Sequence, residues 1–258
     1  MENKLEYLFS LVTSNEVAER MRYTETKKQL VSIHPNFAKM YYCTQHNPHH
    51  CYDLYEHTIH SILNIERDEL SYEEYRDLRL AMLLHDIGKT ETRGVRKVEG
   101  QVTYTFDGYE IETFYDHALK SKEIAQVILK DTPLNEFNKQ RILFFIEAHD
   151  MFMHFKPKEE YERAINNPFR VLINKENVYQ ALKDILEKYP LLSMNDGLLL
   201  INCAKADAKS QSEYVYMPKV VDNKQDFSNL VLVETRANKL KKVELVEECI
   251  KEIIKDIS

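Results

Sequence analysis

A chain of 258 residues can bury a substantial core as one large domain. Its net charge of −7 at pH 7 argues against a protein that binds nucleic acid mainly through a global basic surface. No segment approaches the ~18 apolar residues of a membrane span, and the N-terminus lacks a signal-peptide pattern. We therefore expect a soluble, cytoplasmic protein. Its four cysteines form no CxxC pair, so we expect reduced thiols and no zinc site built on them.

Helical periodicity dominates the chain, which contains only five glycines and seven prolines. We predict a single, mainly α-helical domain over 1–258, with a core at about 30–210. The remainder, 211–258, is predicted to be a C-terminal helical extension whose amphipathic helix packs on its own domain. Helices are predicted at 3–12, 15–30, 53–65, 72–87, 114–130, 135–149, 177–188, 195–210 and 238–256.

Local signals refine two of these boundaries. Ser71 and Glu74 form a capping-box pattern that starts the helix over 72–87. Gly88 stands where a left-handed residue would end it. Between two helices, Val95–Thr113 alternates β-branched and aromatic residues with polar ones, and Asp107-Gly108 is a hairpin-turn dipeptide. This segment is predicted to be a small inserted β-hairpin.

Polar side chains interrupt the apolar faces of five predicted helices. Leu78, Ala81, Met82 and His85 fall at i, i+3, i+4 and i+7, so His85 faces the core. A single buried histidine is usually explained by a hydrogen bond to a carbonyl. Similar spacing, however, places an imidazole or a carboxylate on four further helices. Burying five such groups separately would cost several times a few kcal/mol, which a domain of ordinary stability does not tolerate.

A shared divalent cation would resolve this cost for all of these groups at once. The candidate ligands are His57, His85, Asp86, His117, His149 and Asp207. Four imidazoles and two carboxylates suit Fe, Mn, Co, Ni or Zn, and Mg can use the carboxylates and water. Six ligands exceed the needs of one open catalytic site. We therefore predict one or two ions, with Asp86 as the bridge in the two-ion case.

The motifs that carry these residues resemble the HD superfamily of metal-dependent phosphohydrolases. They are EHTIH with His57, HDIGK with His85 and Asp86, and KADAKS with Asp207. The intermediate His117 and His149 resemble the added ligands of binuclear members. The amino-acid sequence over Leu30–Ser210 is similar to that of the HD module of bacterial tRNA nucleotidyltransferases. Too few residues precede it for a nucleotidyltransferase domain, so we expect the hydrolytic module to stand alone, as an HD-type helical bundle.

The resemblance implies a phosphodiesterase, phosphatase or nucleotidase. It would use a metal-activated hydroxide to hydrolyse a phosphoester or phosphoanhydride of a small substrate, a nucleotide or cyclic nucleotide. RNA stays open as a partner, as does the oligomeric state, and no membrane partner is expected. Two alternatives remain: a non-catalytic RNA- or nucleotide-binding HD module with a structural metal, and a di-iron HD oxygenase.

Further residues are assigned roles around the predicted metal site. Asp86 and Lys89 are the candidate catalytic residues, and Lys89, Arg93 and Lys209 are the candidate phosphate-binding residues. Each cation has an alternative interpretation, as a solvated lysine at a helix end or as an ordinary surface residue. His50 and His60 are predicted to orient ligands through hydrogen bonds. Asp150 is interpreted as the cap of a loop, with a carboxylate beside the metal ligands as the alternative, and His49 is interpreted as an exposed loop histidine.

Overall fold

The computed structural model describes residues 4–98, 101–102, 110–130, 132–162, 170–221 and 224–257. This part of the chain is mainly helical with several strands, which confirms the predicted fold class at that level. The helices are α1 (Lys4–Val12), α2 (Val17–Arg22), α3 (Thr24–Ile33), α4 (Asn36–Met40), α5 (Leu54–Leu63), α6 (Tyr72–Leu84), α7 (Lys89–Thr92), α8 (His117–Leu129), α9 (Glu136–Ala148), α10 (Lys158–Glu162), α11 (Lys175–Leu186), α12 (Met194–Lys209) and α13 (Arg236–Ile257). A short 3-10 helix, Met151–His154, follows α9.

The observed helix boundaries differ from the predicted ones at three kinds of position. The predicted helix over 15–30 is divided, because Tyr23 is extended (φ −69°, ψ 138°) between α2 and α3. The predicted helix over 114–130 begins only at His117, after the left-handed Asp116 (φ 59°). Periodicity does not predict α4, α7 or α10, because four or five residues are too few to show a helical period. The capping box of Ser71 with Glu74 is confirmed.

Two antiparallel strand pairs occupy the predicted hairpin insertion. They are β1 (Gly94–Val95) with β4 (Glu112–Thr113), and β2 (Lys97–Val98) with β3 (Gln101–Val102). The inserted antiparallel structure is therefore confirmed for these strands. Val98 pairs with Gln101, and both residues lie upstream of the predicted turn. Asp107 and Gly108, the predicted turn residues, lie outside the described residues.

The C-terminal part contains a long hairpin that the prediction of a helical extension over 211–258 does not include. Strands β5 (Phe155–Lys156) and β6 (Val171–Leu172) pair in parallel, and β7 (Tyr214–Val221) and β8 (Lys224–Glu234) pair antiparallel. The wholly helical extension is therefore wrong for 214–221 and 224–234. The register shifts at Pro218, whose backbone cannot donate to the ladder. Such an irregularity interrupts the strict alternation by which a strand is recognised in a sequence.

Helix α13 packs on its own domain, as predicted. Its apolar residues Val243, Val246, Ile250 and Ile253 are buried, and the helix lies against α11 and α12. Among the described residues, no helix has both the length and the apolar character needed to cross a bilayer. The apolar stripe of α13 is therefore accounted for by packing within the molecule.

Helix α6 occupies the centre of the fold. Every residue from Asp77 to Leu84 is buried, and the helix packs against α1, α5, α8, α9 and α12. At its start, the buried Asp77 carboxylate accepts hydrogen bonds from Arg141 of α9 at 2.6 Å and from Asn138 at 2.6 Å. Because α6 is enclosed by other helices, the residues that follow its C-terminal end, His85 and Asp86, lie in the interior.

Gly88 departs from the prediction, and its role is a different one. It is right-handed (φ −67°, ψ −23°), so the prediction of a left-handed helix end is wrong. The glycine is required instead by a close approach to α8. A Cβ at this position would lie 2.4 Å from the carbonyl oxygen of His117 and 2.5 Å from the backbone nitrogen of Ser121. The Gly88 N–H also donates to the Ser121 hydroxyl at 2.8 Å, which joins the turn after α6 to the first turns of α8.

A polar cluster around Glu147 connects α9 to α8 and to the segment after α11. Its carboxylate accepts hydrogen bonds from Lys122, Lys188 and Tyr189 at distances between 2.5 and 2.8 Å. Burial favours the neutral acid, but these three donors outweigh burial and lower the pKa of Glu147 to about 2. The carboxylate therefore stabilises the fold as long as it stays ionised.

Replacing Glu147 with glutamine should lower the free energy of unfolding by about 2 kcal/mol at neutral pH. Because the folded-state pKa lies below the ordinary value of 4.5, this contribution is complete above that value and is lost as the pH falls towards about 2. The wild type and Glu147→Gln should therefore converge in stability over this window, as measured by urea unfolding at several pH values. Replacement of the exposed Glu187 is the control and should cost little. A difference that stays constant down to low pH would contradict this account.

Candidate metal centre

The six predicted ligands lie in one cluster in the interior. Helix α5 supplies one, the turn after α6 supplies two, and the start of α8, the end of α9 and the last turns of α12 supply one each: His57, His85, Asp86, His117, His149 and Asp207. The first three are almost completely buried, and Asp207 is the most accessible, with 19% of its side chain exposed.

Asp86 lies at the centre of this cluster. Its Oδ2 is 3.3 Å from Nε2 of His57 and 3.2 Å from Nε2 of His85. Its Oδ1 is 3.2 Å from Nε2 of His117 and 3.7 Å from Nε2 of His149. The two oxygens of one carboxylate therefore face two different pairs of imidazoles.

The donor atoms fall into two groups that share Asp86. One group comprises His57, His85, Asp86 and Asp207, and the other comprises Asp86, His117 and His149. Within each group the donor atoms lie within 4.8 Å of one another. Asp207 completes the first group, with Oδ1 3.0 Å from Nε2 of His57. This is the geometry expected of a carboxylate placed between two cation sites.

Backbone carbonyls orient all four imidazoles. Nδ1 lies 2.7 Å from Met82 O in His85, 2.8 Å from Ile146 O in His149, 2.8 Å from Phe114 O in His117 and 3.3 Å from Ser210 O in His57. A carbonyl oxygen only accepts, so each Nδ1 donates its hydrogen, and each Nε2 faces the cluster, where it offers a lone pair once it carries no proton. The carbonyls of Met82 and Ile146 lie in the last turns of α6 and α9, where backbone carbonyls have no partner within the helix. They are therefore free to accept from His85 and His149, which directly follow these helix ends.

The cluster has many acceptors and few donors. Nε2 of His57, Nε2 of His85 and both carboxylate oxygens of Asp86 are buried without hydrogen-bond partners. Leaving such atoms without partners costs roughly 1–3 kcal/mol each. A divalent cation accepts lone pairs from imidazole nitrogen and carboxylate oxygen, so it would satisfy these atoms together. The buried cluster of histidines and aspartates can therefore hold a metal ion.

The pKa values of the cluster show the same preference for positive charge. Burial disfavours the imidazolium form of His85, but the Asp86 and Asp207 carboxylates outweigh burial and raise its pKa to about 9. Burial likewise disfavours the charged form of Asp86. The positive charges of His85 and Lys89 nevertheless hold the pKa of Asp86 well below its ordinary value. Both carboxylates stay ionised at neutral pH, which is the form that binds a cation.

Lys89 reaches into the cluster from the first residue of α7. Its Nζ lies 2.6 Å from Oδ2 of Asp86 and 2.9 Å from Oε1 of Gln45. Nζ also lies 5.4 Å from the centre of the Phe114 ring. The residue is only 5% exposed, so the alternative of a solvated lysine at a helix end is wrong. Lys89 is a buried cation beside the central carboxylate.

The other two predicted phosphate ligands are held by carboxylates elsewhere. Arg93 forms an ion pair with Glu112 and donates a hydrogen bond to Thr44 at 3.1 Å. Lys209, in the last turn of α12, forms an ion pair with Glu66. Among the described residues, neither cation forms a hydrogen bond or an ion pair with any of the six ligands, so their role in phosphate binding stays a prediction.

The two histidines predicted to orient ligands occupy different surroundings. The His50 ring packs edge-on against the His57 ring, with centroids 5.3 Å apart. The His60 ring stacks on Tyr52, with centroids 4.2 Å apart. No hydrogen bond joins either one to a ligand within the described parts of the chain. The orienting hydrogen bonds observed come from backbone carbonyls, which no side-chain pattern reveals.

The sequence patterns favour a loop cap for Asp150 over a place beside the metal ligands, and they do not assign Gln45 to the site. Asp150 precedes the 3-10 helix but makes no capping hydrogen bond, so its interpretation as a cap is wrong. Its Oδ2 instead lies 3.8 Å from Nε2 of His117. The adjacency of Asp150 to His149 is the only sequence signal that pointed to it. Gln45, 40 positions before His85, gave no signal at all.

One edge of the cluster is open to solvent. Asp150, Asp207 and His117 keep 27%, 19% and 13% of their side chains exposed, whereas His57, His85 and Asp86 are almost completely buried. The partly exposed residues are therefore the ones that a small molecule would meet first.

No family model matches the chain, and no curated protein sequence matches it.

Proposed function

We propose that the protein is a metal-dependent phosphohydrolase that cleaves a phosphoester or phosphoanhydride of a small phosphorylated molecule. One observation carries the proposal: two groups of nitrogen and oxygen donors share the Asp86 carboxylate. Two cations held side by side by such a donor set are suited to binding a phosphoryl group. The open edge at Asp207 gives a substrate access to them.

Bound divalent cations would polarise the phosphoryl group and make a water molecule more acidic. The residues of the chain supply the remaining requirements. The Lys89 ammonium has three hydrogens, of which one is donated to Gln45 and another faces the Asp86 carboxylate in an ion pair. The third can donate to a phosphoryl oxygen and offset its negative charge. Asp150, at the open edge beside His117, can accept the proton that the attacking water loses.

The family resemblance supports a nucleotide as the substrate class. The ligands occur along the chain in the order H…HD…H…H…D, as in binuclear members of the HD superfamily. In addition, all six residues lie close enough together to bind metal. The choice of a nucleotide rests on this resemblance, because the donor set would recognise phosphate and metal but not a base or a sugar. Nucleoside monophosphates, polyphosphates and 2′,3′-cyclic phosphates are therefore the substrates to test.

The test is to reconstitute the protein with each candidate metal and to measure both metal content and phosphate release. We expect roughly one to two equivalents of bound metal. We also expect turnover of at least one phosphorylated nucleotide that is lost with a chelator and restored by the metal. Elemental analysis of folded protein that finds less than about a tenth of an equivalent after metal addition would contradict the metal centre.

The binding-only alternative predicts a different outcome. A binding module would hold a nucleotide with its metal intact yet release no phosphate or nucleoside over long incubation. Such a result would overturn the proposed hydrolysis but not the metal centre. Oxygen consumption with a phosphonate or a polyol, without phosphate release, would instead identify the oxygenase alternative.

A further inference from the structure

A second group of cations lies beside the candidate metal centre, on the side formed by α13. The Lys239 ammonium donates to Oε1 of Gln211, and Nε2 of Gln211 donates to Oδ2 of Asp207 at 2.7 Å. Only one side-chain amide therefore separates Lys239 from a carboxylate of the metal cluster. Arg236 holds the Gln211 carbonyl oxygen through Nε at 3.0 Å, which fixes this connection. The proposed hydrolysis assigns no role to Lys239.

His49 lies among these cations. Its loop is fixed to the end of α12, because the Ser212 N–H donates to the His49 carbonyl at 3.0 Å. Its Nδ1 is buried and has no hydrogen-bond partner within the described residues. Burial, together with the charges of Lys239, Arg96 and Lys156, lowers the pKa of His49 to about 4. A neutral imidazole has one N–H donor, and the unpartnered Nδ1 of His49 can supply it to an anion attracted by the neighbouring cations.

Lys156 and Lys242 extend the group. Lys156 lies on β5, and burial and the neighbouring Lys242 lower its pKa to about 8. Lys242 forms an ion pair with Glu160 at 2.8 Å. Neither Lys156 nor Lys239 forms a salt bridge with a carboxylate in the parts of the chain that the structure describes. Glu160 acts on Lys156 and Asp207 acts on Lys239 without a direct ion pair, and a bound anion would relieve the repulsion that remains among the cations.

We propose that Lys239, Lys156 and His49 form a second anion site that binds a further phosphate of the substrate next to the phosphoryl group held at the metal centre. The assignment of the first phosphate rests on the proposed function. The assignment of the second rests on the position of Lys239, one amide away from Asp207. Such close spacing fits two phosphates joined by one bridging oxygen better than two phosphates on opposite ends of a nucleoside. The substrate class is therefore a phosphoanhydride, such as a nucleoside diphosphate or triphosphate.

The test compares two inorganic probes, phosphate and pyrophosphate, on the metal-loaded full chain. Calorimetric titration is done with Mg²⁺ in excess over the probe, so that pyrophosphate does not extract the bound metal. Pyrophosphate should bind about tenfold more tightly than phosphate, because only pyrophosphate reaches both sites. Lys239→Met should weaken pyrophosphate binding about tenfold and phosphate binding less than about twofold. Lys239→Arg, which keeps the charge, should retain most of the pyrophosphate affinity.

Lys251→Met is the matched control, because Lys251 lies on the same helix and pairs only with Glu247 in the described structure. It should change neither affinity. A Lys239→Met variant that weakens both probes equally, or neither, would overturn the second anion site. Thermal unfolding of each variant shows whether a loss of binding reflects a loss of fold, and Lys156→Met then supplies an independent substitution in the same site.

The outcomes also separate this inference from the proposed function. If pyrophosphate binding depends on Lys239 but no nucleotide is hydrolysed, the anion site stands and the hydrolase proposal fails. If nucleotides are hydrolysed and Lys239→Met affects monophosphates and diphosphates alike, the hydrolase proposal stands and the second site fails.

Discussion

Replacing Asp86 with alanine should abolish metal binding and hydrolysis together. The carboxylate faces all four imidazoles, through Oδ2 on one side and Oδ1 on the other, and it belongs to both groups of donors. Its loss therefore removes a ligand from each group, whereas the loss of His117 affects one group only. We expect bound metal to fall below about 0.2 equivalents and turnover to fall by about a thousandfold or more.

The alanine variant also leaves the buried Lys89 ammonium without its closest carboxylate, which lies at 2.6 Å in the wild type. An unpaired buried charge costs a few kcal/mol, so part of any loss can come from the fold. Asp86→Asn reduces this ambiguity, because the amide keeps the side-chain volume and has an oxygen that can accept a hydrogen bond from Lys89. Both variants should keep the far-ultraviolet circular dichroism spectrum of a helical protein. Both should lose metal, as measured by elemental analysis.

Two further variants compare how much individual residues contribute to metal binding and to turnover. His117→Gln should reduce metal content and turnover less than Asp86→Asn, because the donors around Oδ2 of Asp86 remain intact. Asp150→Asn should slow turnover while metal content stays near that of the wild type, because Asp150 lies outside both groups of donors. Wild-type turnover in Asp86→Ala would refute the mechanism.

The ligands could be predicted because each is an exception on an otherwise apolar helix. His85, His149 and Asp207 follow core residues at helical spacing, so the pattern that predicts burial also identifies the polar group that would be buried. Periodicity is a short-range signal, and it works wherever the functional residue belongs to a long helix. Because several helices each carry one such polar residue at a core position, the pattern indicated that a shared cation binds them.

The same reasoning could not reach residues that depend on long-range contacts. Gln45 and His49 lie in an irregular loop. Lys239 lies in the first turns of α13, where the charged sequence suggests a solvent-exposed surface. All three are brought to the cluster only by the packing of segments far apart in the chain. The hairpin of β7 and β8 was missed for a related reason, because strand pairing is decided by the partner strand as well as by the local pattern.

Gly88 was correctly identified as a structurally important glycine, but the role predicted for it was wrong. A glycine after an apolar helical run commonly ends the helix in a left-handed conformation, and that is what the local pattern predicts. The observed backbone is right-handed, and the missing side chain serves the contact with α8. A sequence shows that a position lacks a Cβ but does not show which neighbouring chain occupies that space. The difference between the two explanations has a measurable consequence.

Replacing Gly88 with alanine should destabilise the protein by about 3 kcal/mol, although alanine adopts the observed backbone angles without strain. The added Cβ would meet the carbonyl oxygen of His117 at 2.4 Å and the Ser121 nitrogen at 2.5 Å. Both are backbone atoms of α8 and cannot rotate away, so the helix must move from the turn that carries Asp86. We therefore expect weaker metal retention as well as a lower free energy of unfolding in urea.

Gly197→Ala is the matched control, because it adds the same methyl group to a glycine in a helix of the core. There the new Cβ would meet two methyl groups of Leu182 at 3.2 Å, and a leucine side chain can shift by a few tenths of an ångström. The higher helix propensity of alanine, worth about 1 kcal/mol, should offset this contact and leave stability within about 1 kcal/mol of the wild type. If Gly88→Ala were as stable as Gly197→Ala and kept its metal, the position of α8 would not depend on this contact. Loss of metal from Gly88→Ala alone would show that one methyl group at the interface of two segments controls the distance between Asp86 and His117.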